Sequence, residues 1–370
     1  MELTQYLQEL EQVVNIDCGT GSVEGVEQVY QHFQQWYQQD GWHCQRVELD
    51  DKVGPGLLVT NKPDAEHYDV LLVGHMDTVF PVGTVAARPF SLEGDRARGP
   101  GVADMKGGLL TILWALRGLN HAERDRLSIA VAMNPDEETG SVYSHHWLTG
   151  LAKRSRCVLV GEAARSDGSL VKARKGMARY RLNFSGLAAH SGNDPDKGRS
   201  AINALAHSVI AVANLADPAQ GTTVNTGVIS GGNAANIVPD HAEMIVDVRF
   251  QLNAEFERVN MAMKALAHSE AEPGVTTQVT QQAYTPAMTP DAKTEALMQI
   301  VEQAGQTENI EISWQAVGGG SDANHTAAVG TPSLDGFGPI GANFHSPSEY
   351  MELNSIEPRI RLLKRIIQSL

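Results

Sequence analysis

Strand-length apolar runs that stop abruptly at an imidazole or a carboxylate constrain this chain more than any other feature. The first is Val70-Leu71-Leu72-Val73-Gly74-His75-Met76-Asp77-Thr78-Val79. Residues 70–73 read as a strand buried on both faces, as strands of a parallel sheet are. Such a strand delivers the residues after it to the carboxyl edge of the sheet, where open α/β sheets bind ligands. His75 and Asp77 are two apart, so in extended geometry they point the same way. That suits an imidazole on a metal with a carboxylate on its other ring nitrogen. Taken alone, the pattern is explained as well by a surface turn.

Residues 127–133 repeat the motif and end in Asn134-Pro135-Asp136-Glu137-Glu138-Thr139-Gly140. Adjacent carboxylates repel and raise one another's pKa. A solvated turn tolerates this; a cation beside them removes the cost. Residues 157–160 form a further run, ending in Gly161-Glu162. Between the first two runs, the glycine-laden loop 98–108 sets Asp104 just before a helix with Leu109, Leu113 and Leu116 inward. Its residue order is not that of a Walker loop, and no Gly-x-Gly-x-x-Gly follows a strand, so no nucleotide site is expected. His75, Asp104, Glu137, Glu138 and Glu162 are therefore expected along one edge of one sheet.

The remaining elements come from periodicity. Residues 1–14 form a helix with Leu3, Leu7, Leu10 and Val14 on one face; Val26, Val29, Tyr30, Phe33 and Tyr37 mark a second. Two short strands flank Gly54-Pro55-Gly56, and 81–100 has no period and reads as surface loop. From 170 the pattern becomes one-face-buried alternation, as in Ala178, Tyr180, Leu182 and Phe184. Strand, helix (200–215), strand, strand, helix (253–267), strand is the order of a ferredoxin-like α+β unit. The fold class expected is α/β, a mixed and mostly parallel sheet with helices on both faces, over 1–169 and 285–370. The ferredoxin-like domain is inserted at 170–284. In the resumed part, a helix over 291–304 leads to a strand over 310–316 and then to Val317-Gly318-Gly319-Gly320-Ser321-Asp322. That turn opens a helix whose N–H groups suit an anion, or is simply tight. An irregular segment with His345 and a helix with Ile356, Ile360, Leu363 and Ile367 inward complete the chain.

A formal net charge of −15 over 370 residues argues against nucleic acid and anionic membranes as partners. Cys18, Cys44 and Cys157 are odd in number and lack a Cys-x-x-Cys, which suggests neither a disulfide framework nor a thiolate site. The first helix lacks the basic start of a signal peptide and no apolar run reaches membrane-spanning length. A cytoplasmic enzyme is the expectation.

Two histidines (His75, His345) and four carboxylates (Asp104, Glu137, Glu138, Glu162), with no thiolate, suit two divalent ions such as zinc sharing a bridging carboxylate. Adjacent Glu137 and Glu138 make sense if one binds metal and the other accepts a proton from water.

These segments, with Gly318 to Ala323 and His345-Ser346, resemble the co-catalytic zinc peptidases of the M20 type. The likeness is strongest to their glutamate carboxypeptidase branch, with acetylornithine deacetylase, succinyl-diaminopimelate desuccinylase and aminoacylase as relatives. The resemblance implies that Asp77 orients His75, that Asp104 bridges two Zn2+ (Co2+ or Mn2+ as substitutes) through a cis bond to Met105, and that Glu137 is the general base. It pairs Glu138 with His345 on one ion and Glu162 with His75 on the other. It also implies that His190, in Gly186-Leu187-Ala188-Ala189-His190-Ser191, reaches the site of the partner in a homodimer formed through the inserted domain. Asn236 and Arg249 would hold the substrate carboxylate, with Gly319, Gly320 and Ser321 nearby; an arginine fork suits that task. On their own residues, His190 reads as a plain loop histidine, and Arg249 as an exposed strand residue is a reasonable alternative. Lys172, Arg174, Lys175 and Arg179 are a basic cluster that suits an acidic substrate side chain or a solvated strand edge. The expected reaction is hydrolysis of an amide beside a C-terminal, glutamate-like residue of a small peptide. The alternatives are an N-acyl-amino-acid deacylase and an inactive binding homologue.

Overall fold

Strands of two to six residues build a six-stranded sheet in the order His43–Val47, Gly56–Thr60, Ile129–Asn134, Val70–His75, Val158–Val160, Ser333–Leu334. The structure is a computed structural model and describes residues 2–268 and 272–370; Met1, the expected start of the first helix, lies outside them. The last four strands pair in parallel and the first two antiparallel, as a mixed α/β sheet requires. Every residue of the second, third, fourth and fifth of these strands is buried, so helices cover both faces. Register sets His75 beside Asn134 and Val73 beside Val160. The segments after these strands therefore leave the sheet at one edge.

The helices bury the stripes their periodicity predicts. Val23–Gln39 turns Val26, Val29, Tyr30, Phe33 and Tyr37 inward, and Leu353–Ser369 turns in Ile356, Ile360, Leu363 and Ile367. The first helix, Leu3–Val14, differs: Tyr6, Leu10, Val13 and Val14 are its buried face and Leu3 is exposed. Tyr6 displaces Leu3 because its hydroxyl reaches the Gly107 carbonyl (2.8 Å), satisfying a buried polar group.

Two further expectations are corrected. Residues 81–100 are not all loop: they hold a short helix, Thr84–Ala87, and a hairpin, Ser91–Glu93 with Arg96–Arg98. This hairpin joins Tyr350–Glu352 and Gly341–Ala342 in a four-stranded antiparallel sheet. Strands of two or three residues carry no alternation to read. The strand expected over 310–316 is Trp314–Val317, and it pairs with Leu170–Arg174 rather than with the central sheet.

Chain contacts divide the molecule into Met1–Ala173, Pro290–Val317 and Ser321–Leu370 as one unit, and Arg174–Thr289 with Gly318–Gly320 as the other. In the second unit, four strands in the order Thr223–Gly231, His241–Phe250, Gly176–Ser185, Thr276–Thr285 are all antiparallel. Their alternating side chains Ala178, Tyr180, Leu182, Met244 and Val246 pack with Val212 and Val259 of Ala201–Ala213 and Asn253–Leu266. Thr223–Gly231 is an edge strand, with Val228 and Ile229 exposed. Among the described residues, no helix is long and apolar enough to cross a membrane.

Candidate metal centre

His75 closes its strand fully buried, with Nδ1 3.2 Å from Oδ1 of Asp77 and 3.0 Å from the Asp77 carbonyl. The buried Asp77 carboxylate also accepts from Thr20 Oγ1 (2.6 Å) and from the N–H groups of Glu137 and Glu138 (3.2 Å each). One carboxylate thus holds the imidazole and the acidic turn together. Nε2 of His75 is left facing Asp104 Oδ1 (3.2 Å) and Glu162 Oε1 (3.5 Å).

Asp104 lies in the turn Val102–Lys106, whose backbone leaves helical dihedrals at Asp104 (φ −114°, ψ 91°) and Met105 (φ −129°, ψ 34°) and whose Asp104–Met105 bond is cis. Its other oxygen, Oδ2, stands 3.2 Å from Nε2 of His345, which is also 3.2 Å from Glu138 Oε2. His345 sits at φ 60°, a region that costs a non-glycine residue about 1–2 kcal/mol. Two groups of donors result, His75–Asp104–Glu162 and Asp104–Glu138–His345, each with its ligand atoms within 4.8 Å of one another. They share Asp104, whose two oxygens face different histidines. Nitrogen and carboxylate donors without thiolate, gathered from five segments, fit hard or borderline divalent cations.

The charges show the same crowding. Burial alone would lower His75, but Asp104, Asp77 and Glu162 hold its imidazole well above the usual range. Asp104 and Glu138 push His345 up to about 10. Burial would raise Asp104, yet His345 and His75 keep it below the usual carboxylate range. Burial, reinforced by Glu162 and Asp322, holds Glu137 well above its usual value. The adjacent glutamates differ: Glu138 is paired with His345, whereas the Glu137 carboxyl makes no hydrogen bond or ion pair among the described residues.

Three buried acids or cations around this cluster escaped sequence reasoning. Asp322 accepts from Ser141 Oγ (2.6 Å) and from Asn134 Nδ2 behind the acidic turn, and burial pushes it up to about 7. The Lys106 ammonium, fully buried, donates to the carbonyls of Ile16 (3.2 Å) and Pro100 (3.4 Å). Glu349 accepts three N–H groups of the Asp104 loop, while its own burial pushes it up to about 7. None lies in a spacing that a sequence pattern marks; Glu349, four residues after His345, had the nearest signal.

A cavity of about 430 Å³ beside the cluster is lined by Thr20, Thr78, Val79, Phe80 and Glu138. A larger one, about 550 Å³, lies at the other ends of the strands around Cys157, Leu297 and Pro332, and holds none of these donors.

The other expected site residues fall elsewhere. Ser321 caps the helix Asp322–Ala328; its hydroxyl donates to Asp335 (2.6 Å) and its N–H to Asn324 (2.9 Å), so both are committed to the fold. In the second unit, Gly319 and Gly320 are exposed and their carbonyls accept from Arg174 (3.0 and 3.3 Å). Lys175 donates to the Gly221 carbonyl, and Arg179 stands 3.9 Å from Asp247. Much of the basic cluster is thereby engaged. Arg249 makes two bonds to Asp247 (2.8 and 3.2 Å). His190 is exposed; its Nδ1 accepts the N–H groups of Gly192 and Asn193 (3.1 Å each), which leaves the proton on Nε2. Asn236 is exposed, and its backbone carbonyl accepts the Ser191 N–H (3.1 Å).

Residues 71–369 match the model of peptidase family M20/M25/M40. The chain is 31% identical over 368 residues to carboxypeptidase G2 of Pseudomonas sp. (strain RS-16), covering 98% of this chain and 88% of that protein. It is 28% identical over 319 residues to acetylornithine deacetylase of Klebsiella pneumoniae (strain 342), covering 80% and 79%. The fold is shared with aminopeptidase PepT from Bacillus cereus ATCC 10987 (TM-score 0.78, 21% identity, 100% and 99% covered). It is also that of the M20 family metallo-carboxypeptidase Sso-CP2 from Sulfolobus solfataricus (TM-score 0.73, 16% identity, 98% of each chain).

Proposed function

Because the chain belongs to peptidase family M20/M25/M40 and is a hydrolase of that family, we propose that it is a two-zinc carboxypeptidase acting on small peptides or peptide-like amides. The observation that carries this reading is Asp104, whose two oxygens each face a different histidine 3.2 Å away. His75 and Glu162 would hold one ion, His345 and Glu138 the other, and Asp104 both. When bound, the two ions supply positive charge that acidifies water and polarises a carbonyl.

The chain's own groups do the rest. Glu137, the unpaired member of its pair, takes the proton of the attacking water and returns it to the leaving amine. Asp77 keeps the His75 proton on Nδ1, so Nε2 is available as a ligand. His190 offers its Nε2 proton to the developing oxyanion. Arg249, oriented by Asp247, and Asn236 receive the substrate carboxylate, and the exposed backbone of Gly319 and Gly320 is assigned to substrate binding with them. The basic cluster Lys172, Arg174, Lys175 and Arg179 and the likeness to the glutamate carboxypeptidase branch support a preference for an acidic residue.

For His190 to act on a neighbouring subunit, the chain must form a homodimer. The exposed edge strand Thr223–Gly231, with Val228 (53% exposed) and Ile229 (61%), and Ile210 (64%) of the helix Ala201–Ala213 support that assembly.

The deacylase reading shares the same metal chemistry and is favoured by the acetylornithine deacetylase likeness. A hydrolysis screen of dipeptides, acyl-glutamates and N-acetylornithine, with and without chelator, separates the two. Chelator-sensitive cleavage beside a C-terminal residue is expected. Fewer than one zinc per chain, or no cleavage of any amide, overturns the proposal.

A further inference from the structure

We propose that Glu349 is a positioning residue that locks the loop carrying Asp104 to the segment carrying His345, setting the donors of the second ion in place. Its purpose rests on the two-zinc reading above; its geometry rests on hydrogen bonds. The Glu349 side chain is fully buried. Oε1 accepts the N–H groups of Ala103 (2.9 Å) and of Asp104 itself (3.1 Å), and Oε2 accepts that of Gly101 (3.1 Å).

The loop is shaped to need such an acceptor. Gly101 takes φ +70°, and a Cβ there would lie 2.6 Å from Thr78 Cγ2 and 3.0 Å from the Asp104 carbonyl. This bend turns three N–H groups toward one point, an arrangement that binds anions. Gly101 and Ala103 are sealed from solvent, so without Glu349 their N–H groups would be left buried with no acceptor. Glu349 is itself anchored on both sides. Its N–H bonds the Ser346 carbonyl (3.2 Å) in the turn that carries His345. The strand after it, Tyr350–Glu352, pairs with Arg96–Arg98, just before the Asp104 loop. One carboxylate thus sets the separation of Asp104 and His345, the two donors whose contact closes the second group.

Glu349→Gln tests this in the full-length holoenzyme. The amide keeps the shape but sets N–H against at least one N–H donor. The variant is expected to keep its far-UV spectrum and its first zinc, while the second zinc is lost to a competing chelator at 10–100-fold lower chelator concentration. Ile367→Val, matched for loss of Tm in the terminal helix, is expected to keep both ions at the parent's affinity. If Glu349→Gln does not fold, Glu349→Asp retains the charge, shortens its reach by one methylene and is read by the same titration. A parent with two zincs and variants that hold both as tightly overturn the role of Glu349 alone. A parent with less than one zinc overturns the metal reading itself.

Discussion

Nδ1 of His75 stands 3.2 Å from Oδ1 of Asp77, with both side chains wholly inaccessible to solvent. Asp77 also takes bonds from Thr20, Glu137 and Glu138, so every partner of this carboxylate is a donor. Asp77→Asn puts an amide N–H among those donors. It is expected to weaken zinc binding 10–100-fold, measured by chelator competition. Unchanged affinity would mean that His75 needs no orientation from this side.

Glu137→Gln removes the base while Asp77 still holds its backbone. Metal content is expected to stay at the parent's value, with kcat reduced on the order of 10²–10⁴-fold. A variant with near-normal kcat would reassign the proton transfer to another group.

The metal-free protein is expected to lose stability in alkali. Asp104 and Glu138 push His345 up to about 10, above its ordinary 6.5. A raised folded-state pKa stabilises fully below the unfolded value and is lost as pH rises through the folded one. Tm of chelated protein should therefore fall between pH ~7 and ~10. Zinc displaces the imidazole proton, so it should raise Tm most at the alkaline end of that window. A flat profile that zinc does not move contradicts the arrangement.

His325 gives the opposite slope in acid. Burial, with His145 adding to it, lowers its pKa to about 4. A depressed value means stability present above pH ~6.5 and lost as pH falls through about 4, amounting to about 3 kcal/mol at the full shift. His325→Gln should flatten this limb in urea titrations between those pH values; an unaltered limb would place the acid sensitivity elsewhere.

Gly108 begins the packing of the helix Gly107–Arg117 against the strand end that carries Glu162. A Cβ at this position would lie 1.7 Å from the Gly161 carbonyl oxygen. Gly108→Ala is expected to cost roughly 3 kcal/mol or more in urea unfolding, since backbone on both sides must move. A variant as stable as the parent would show that this approach is not tight.

The hydrophobic period alone carried the central strands, the long helices and the alternating strands of the second unit, because burial on one or two faces is written residue by residue. It did not carry the Ser91–Glu93 and Arg96–Arg98 hairpin, whose strands are too short for a period. The donors His75, Glu138 and Glu162 were legible because each follows a buried strand, and parallel register brings strand ends together. The family resemblance implied that Asp104 serves both histidine sites and that Glu137 and Glu138 differ in role; that Asp77 holds the backbone of both glutamates and that Glu349 braces the Asp104 loop were decided only in three dimensions. The physical reason is range: chain periodicity reports which face of an element meets the core, whereas a hydrogen bond between residues such as Ala103 and Glu349 joins backbone and side chain across 246 positions and leaves no local pattern.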